Sequence, residues 1–320
     1  MSKSDKKLPF SNLNLSQFLN GQNIVFMGLL WSSATVFFFL SYSITPPGQD
    51  SPFWYLIGTY IWETVPFIFA TWLCYRNWKS PQIASGSDVW LYMGLGLGSY
   101  SLANFIFGIW ELYFGLDPEI SPADLFYLLF TVFITWGMVL AVLPRRLNLE
   151  WRQWLIVAGV AFLGIASAIW LTFGAPEEGG VETPPPTPTE QAAPAPDPYA
   201  DVPGLIEATD KFLRVFARPV NLFYTISDII FLIIASTLLL AFWGGRFSRS
   251  WQMIAAAALA KYIADMWLKY ATTLPDQYES GGFLEVFYVF SGVLFAIGAA
   301  LEYDVSTSRS GRSRRRRGGG

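Results

Sequence analysis

The sequence predicts an all-α polytopic membrane protein, with eight transmembrane helices arranged as two four-helix parallel repeats. Three observations predict it. Eight runs are apolar and long enough to cross a hydrocarbon core of roughly 30 Å, which takes about 20 helical residues. Basic and acidic connecting segments alternate along the chain, as the positive-inside rule requires. Rare polar residues recur at a constant offset of 161 positions.

Composition agrees with this class. Hydrophobic residues make up 53% of the chain and charged residues only 14%, whereas a soluble domain is about a quarter charged. There is no histidine, which removes the commonest metal ligand, general base and near-neutral pH switch. A single cysteine, Cys74, permits no intrachain disulfide and no cysteine cluster. Redox-cofactor and Ser-His-Asp chemistries therefore find no support. No catalytic residue, metal or cofactor is expected, and the chain is not read as an enzyme.

Residues 1–21 read as a cytoplasmic tail holding Lys3, Lys6 and Lys7. It is polar, and the first apolar run is long enough to span, so no cleavable signal peptide is read. The spans are 22–44, 53–75, 88–114 and 122–143 in the first half, residues 22–143. In the second half, residues 144–303, they are 152–173, 219–243, 251–271 and 283–302. Helices are the default because every backbone polar group in lipid must be paired internally. Arg76 and Lys79 follow the second span, Arg145, Arg146 and Arg152 flank the fourth-to-fifth join, and Arg246 and Arg249 join the sixth to the seventh. The opposite loops, PPGQD, GLDPEIS and TTLPDQYESGG, are acidic or neutral. All basic clusters share one side when both termini are cytoplasmic. The expected location is a bacterial cytoplasmic membrane, with another internal membrane such as a thylakoid as the alternative.

Residues 174–204 are rich in Pro and Glu and are expected to be a disordered outer loop. The following stretch, 205–218, is amphipathic. Glu207, Asp210, Lys211, Arg214 and Arg218 take one face and Leu205, Ile206, Phe212, Leu213 and Phe216 the other. It reads either as a helix lying on the membrane surface or as a segment that only returns the chain to the bilayer. Residues 304–320 form a polybasic cytoplasmic tail suited to anionic lipid. Nucleic acid is not an expected partner.

Within the repeat, Trp90 falls on Trp251, Asn104 on Asp265, Asp124 on Glu285, Phe126 on Phe287 and Tyr127 on Tyr288. Each half crosses an even number of times, so the halves are parallel and related by an axis near the membrane normal. Gly94, Gly96, Gly98 and Ser99 on the third span suggest close helix packing.

The polar residues converge in the outer half of the expected bundle. Glu63 and Asp228 lie about a third of the way in from outside, Asn104 and Asp265 at similar depth, and Lys261 near the midplane, at about 1.5 Å per residue. Lys269, Glu111, Asp124 and Glu285 lie near the outer interface, the last two as outer-interface acids. A charge at the bilayer centre costs at least about 2.5–3.5 kcal/mol, so these groups should face inward and pair. Lys261 with Asp265, one turn apart, is the expected pair, with Asp228 or Glu63 bridging from a neighbouring helix. Two readings stay open. The charges are an ion-pair lock between halves, or the polar floor of a ligand pocket. In the pocket reading the contacts are Glu63, Asn104, Asp228, Lys261 and Asp265, and the walls are Trp62, Tyr100, Trp110, Tyr224 and Trp267. Asp265 and Lys269 also resemble the acid–lysine pair of microbial retinal proteins, but that helix runs in the opposite direction here.

At SPADLFYLLF, following FGIWELYFG, the chain resembles the multi-helix N-terminal membrane input region of bacterial diguanylate cyclases. The second-half stretch GGFLEVFYVF fits the same scheme. The resemblance covers most of residues 22–303 and implies a sensory module. The family's Gly-Gly-acid-Glu-Phe catalytic signature is absent, which implies output through a separate membrane or cytoplasmic protein. The expected function is thus a sensor-like or small-ligand-binding membrane module. The alternatives are a secondary transporter, or a scaffold for a membrane complex.

Overall fold

The computed structural model describes residues 19–44, 51–116, 120–143, 149–170, 199–200, 202–244, 248–272 and 280–317, with side chains to residue 308. Lys3, Lys6, Lys7, Arg145, Arg146, Arg246, most of the loop 174–204 and the basic side chains from residue 309 onward lie outside these residues.

Every regular element among the described residues is helical. The α-helices are α1 Gly21–Tyr42, α2 Phe53–Lys79, α3 Ser87–Gly108, α4 Asp124–Val142, α5 Trp151–Ile169, α6 Gly204–Arg214, α7 Ala217–Ala241, α8 Ser248–Ala271 and α9 Val286–Arg317. A π-helical turn, Ile109–Tyr113, ends α3, and a 3-10 turn, Phe283–Glu285, opens α9. Six segments are long and apolar enough to cross a membrane: α1, α2, α4, α5, α7 and Phe283–Ser308. The two others expected to span, α3 and α8, fall outside that set. Their sequences hold the reason: α3 carries glycines, serines and Asn104, and α8 carries Lys261, Asp265 and Lys269. The last helix was expected to end near residue 302, but it continues to Arg317 as part of α9.

Helices α2, α3 and α4 pack in sequence, as do α7, α8 and α9; α9 also packs on α2 and α4 on α7. Trp90 of α3 and Trp251 of α8, both fully buried, face each other with ring centroids 6.4 Å apart. The peripheral helices differ. Helix α1 packs on α9, whereas α5 packs on α7.

Two close helix contacts match residue for residue. A Cβ on Gly137 of α4 would stand 2.9 Å from Met93 Cγ and 3.2 Å from the Val89 carbonyl of α3. A Cβ on Gly298 of α9 would stand 2.8 Å from Ile254 Cγ1 and 3.2 Å from the Ser250 carbonyl of α8. Each residue of the second set follows its counterpart by 161 positions. Absence of a side chain lets the backbones approach, the usual role of small residues between membrane helices.

Helix α2 contains Pro66, which has no N–H to donate to the Trp62 carbonyl one turn earlier. The Trp31 indole of α1 donates to that carbonyl instead, at 3.1 Å. Helix α6 leaves its apolar face unpacked: Leu205, Phe212, Val215 and Phe216 are all exposed. Its other side holds Asp210, which is buried and accepts from Arg214 Nε at 3.0 Å and from the Tyr199 hydroxyl at 2.6 Å. That second bond holds the Tyr199 phenol above its ordinary range.

Gly298→Val should destabilise the protein by about 1–3 kcal/mol, the usual cost of overpacking. Gly159→Val, where an added Cβ meets nothing within 4 Å, should be close to neutral. Thermal unfolding of both variants in the same detergent checks the difference.

Candidate functional site

The charged residues on α8 have partners on four neighbouring helices. Lys261 Nζ donates to both carboxylate oxygens of Asp265, at 2.6 Å each, one turn along the same helix. The Tyr288 hydroxyl of α9 donates to Asp265 Oδ1 at 3.0 Å. Around the ammonium stand the rings of Tyr288, Phe130 and Tyr100, with centroids 5.3, 5.6 and 5.7 Å from Nζ. These rings come from α9, α4 and α3, so the cation sits where both helix groups meet. The ring faces attract it, and the carboxylate neutralises it. Lys269 Nζ donates to Asp228 Oδ2 of α7 at 2.8 Å.

Glu63 of α2 is held differently. Its Oε1 accepts from the Tyr100 hydroxyl at 2.6 Å and from Asn104 Nδ2 at 2.9 Å. Asn104 Nδ2 also approaches Thr64 Oγ1 at 3.3 Å, and Asn104 Oδ1 accepts from the Tyr127 hydroxyl of α4 at 2.7 Å. Among the described residues no group donates to Glu63 Oε2, and Glu63 keeps partial exposure. Among the described residues both ammonium groups here, Lys261 and Lys269, are committed to aspartates, so neither pairs with Glu63.

The structure thus brings Glu63, Asn104 and Tyr100 into one cluster, with Lys261 and Asp265 beside it. Asp228 does not bridge to Lys261, because Lys269 engages it. Glu63 does not bridge either, because neutral donors hold it. Tyr288 fills the bridging place. The other four aromatics expected as walls have these contacts. Trp62 packs edge-on against Trp31 at 4.5 Å. Trp110 packs against Phe114 at 5.7 Å within the π turn and its continuation. Trp267 lies 5.9 Å from Tyr270, and Tyr224 donates to Asp124 Oδ1 at 2.7 Å.

The acids expected at the outer interface sit in the first turns of their helices. Asp124 Oδ2 accepts the Ser121 N–H at 2.7 Å, closing the turn that leads into α4. Glu285 accepts the Gly281 and Gly282 N–H groups at 3.0–3.1 Å before α9, reaching back to the cap residue Gly282. A carboxylate in the first turn of a helix also complements the helix dipole. The same ends are tied across the bundle. Tyr224 of α7 reaches Asp124, and the Tyr55 hydroxyl of α2 donates to the Gly281 carbonyl at 2.5 Å. Glu111, in the π turn, accepts from Tyr60 of α2.

Sequence reasoning missed Tyr127, Tyr288 and Phe130 as site residues. The repeat was a usable signal for the two tyrosines. Tyr127 reaches Asn104 and Tyr288 reaches Asp265, 23 residues back in each case.

No protein family, curated protein or solved structure matches the chain. The reading of the site rests on its own geometry.

Asp265→Ala leaves the Lys261 ammonium buried without its counter-ion, a loss of about 3–5 kcal/mol for a buried pair. The double variant Lys261→Met with Asp265→Leu should recover most of that loss. Unfolding temperatures of the single and double variants check it.

Proposed function

We propose that this protein is a sensor-like membrane module that binds a small cationic or hydrogen-bond-donating ligand and acts through a separate partner. One observation carries the reading. Among the described residues the two ammonium groups of the polar layer are both committed to aspartates, and the second oxygen of Glu63, Oε2, lacks a donor while Glu63 stays partly accessible. A lock between the halves needs an ion pair that joins them, whereas Lys261–Asp265 lies within α8 and Lys269–Asp228 joins α8 to α7, both in the second half. Glu63 takes part in neither pair, and a ligand cation or donor would complete it.

The proposed architecture is eight spans in two parallel four-helix halves, with α3 and α8 as inner spans. The paired contacts at Gly137 and Gly298, and at Tyr127 and Tyr288, support the duplication. The π turn beside Glu111 agrees with a functional location, since such turns collect at functional sites. The exposed apolar face of α6 supports an interfacial position for that helix. Similarity to the input regions of diguanylate cyclases gives the sensory reading its outline, and an anionic membrane surface its setting for the basic tail.

A second reading, transport, gains from one observation. Glu63 sits on α2 three residues before Pro66 and bonds to Tyr100 and Asn104 of α3, which ends in the π turn. Pro66 stands inside the second span in the sequence itself, whereas the π turn is seen only in the structure. Transporter sites use such irregular backbone near the midplane.

A thermal-shift screen of small amines and polyols on the purified protein should yield a compound that raises Tm in the native chain and not in Glu63→Gln. A screen in which no compound stabilises the protein, or in which Glu63→Gln responds equally, removes the proposal. Flux of the stabilising compound in proteoliposomes would move the function to transport.

A further inference from the structure

The side of the bundle formed by α2, α3 and α4 carries an apolar groove of about 430 Å³. Leu95, Gly98 and Leu102 line it from α3, Phe126 and Leu129 from α4, and Trp78 closes one end from α2. From Leu91 to Leu102 it runs about 16 Å at 1.5 Å per residue, roughly half a hydrocarbon core. Gly98 opens it, since an added Cβ would meet nothing closer than Thr71 Cγ2 at 3.4 Å.

A second groove, of about 280 Å³, occupies the corresponding place on α8 and α9, with Leu259 and Phe287 standing where Gly98 and Phe126 do. There α1 supplies part of the wall through Gly28, and Val293 and Ile297 of α9 are only 6% and 5% exposed. Their counterparts on α4, Val132 and Trp136, are 49% and 47% exposed. No described helix covers the first groove.

The Trp78 end of the first groove is charged. Lys79 Nζ lies 3.9 Å from the centroid of the Trp78 ring and 5.8 Å from that of Tyr75. Among the described residues Lys79 forms no ion pair, and Asp88, in the first turn of α3, does not neutralise it. An ammonium resting on interfacial aromatic rings, at the mouth of an apolar channel one leaflet deep, matches a phosphate above an acyl chain.

We propose that this groove is a binding site for one anionic phospholipid, with an acyl chain along Gly98 and Leu102 and the headgroup phosphate on Lys79. The groove shares no lining residue with the Glu63 cluster.

The test is native mass spectrometry of the full chain released from micelles containing phosphatidylglycerol or phosphatidylcholine. The native chain should retain one phosphatidylglycerol that Lys79→Ala holds about fivefold more weakly, the effect of one lysine near an anionic surface. Lys79→Arg should restore it. Gly98→Leu, which fills the groove at a site open enough to accept it, should lose retention of this lipid with Lys79 intact. Equal retention by the native chain, Lys79→Ala and Gly98→Leu places anionic lipid on the tail alone and overturns the proposal. A change of oligomeric state in Gly98→Leu with lipid retention unchanged also overturns it, because the groove then holds a helix of a second copy.

Discussion

The bundle depends on one constraint: an ammonium inside an apolar assembly must be neutralised without water. Lys261 meets it with the Asp265 carboxylate one turn away and with three aromatic rings from other helices. The short pairing along α8 is local and would form on any helix with this spacing. The rings are not local. They come from α3, α4 and α9, so neutralising Lys261 also fixes where those helices stand. Removing a buried charge's surroundings costs several kcal/mol, and this gives the layer its grip on the packing.

Around that layer, helix approach is set by small residues and aromatic stacks. Gly137 and Gly298 let α4 and α9 close on α3 and α8. Phe67 stacks on Tyr100 with centroids 4.1 Å apart, which holds the Tyr100 hydroxyl toward Glu63. Asn77 of α2 donates to the Ala299 carbonyl of α9 at 2.8 Å, one more polar tie between the two helix groups. The result is a polar interior in which hydroxyls and amides, not only opposite charges, satisfy the carboxylates. Neutral donors fix the Glu63 carboxyl in position and bring no opposite charge of their own.

Asp124 and Glu285, matched acids of the repeat, have local roles. Both sit at helix starts and accept backbone N–H groups. Pairing by 161 positions reflects a shared local device as well as any shared ancestry. The tyrosines reverse the lesson. Tyr127 and Tyr288 looked like ordinary aromatic matches, yet their hydroxyls reach the polar residues at the centre of each helix group.

The amino-acid sequence alone determined the helical class, the positions of the apolar helices to within a few residues, the Lys261–Asp265 pair and the amphipathic character of α6. Each follows from local spacing and composition: apolar run length, a four-residue interval, a two-faced pattern. Tertiary structure decided the rest. Which acid met Lys269, why Glu63 took tyrosine and asparagine instead of lysine, and which partners Trp62 and Tyr224 found are all questions of which helix stands beside which. Side-chain direction across an interface depends on helix rotation and crossing, and neither is written in the spacing along one strand of sequence. The continuation of α9 to Arg317 is a further case, since its polar last turns carry no apolar period to announce them.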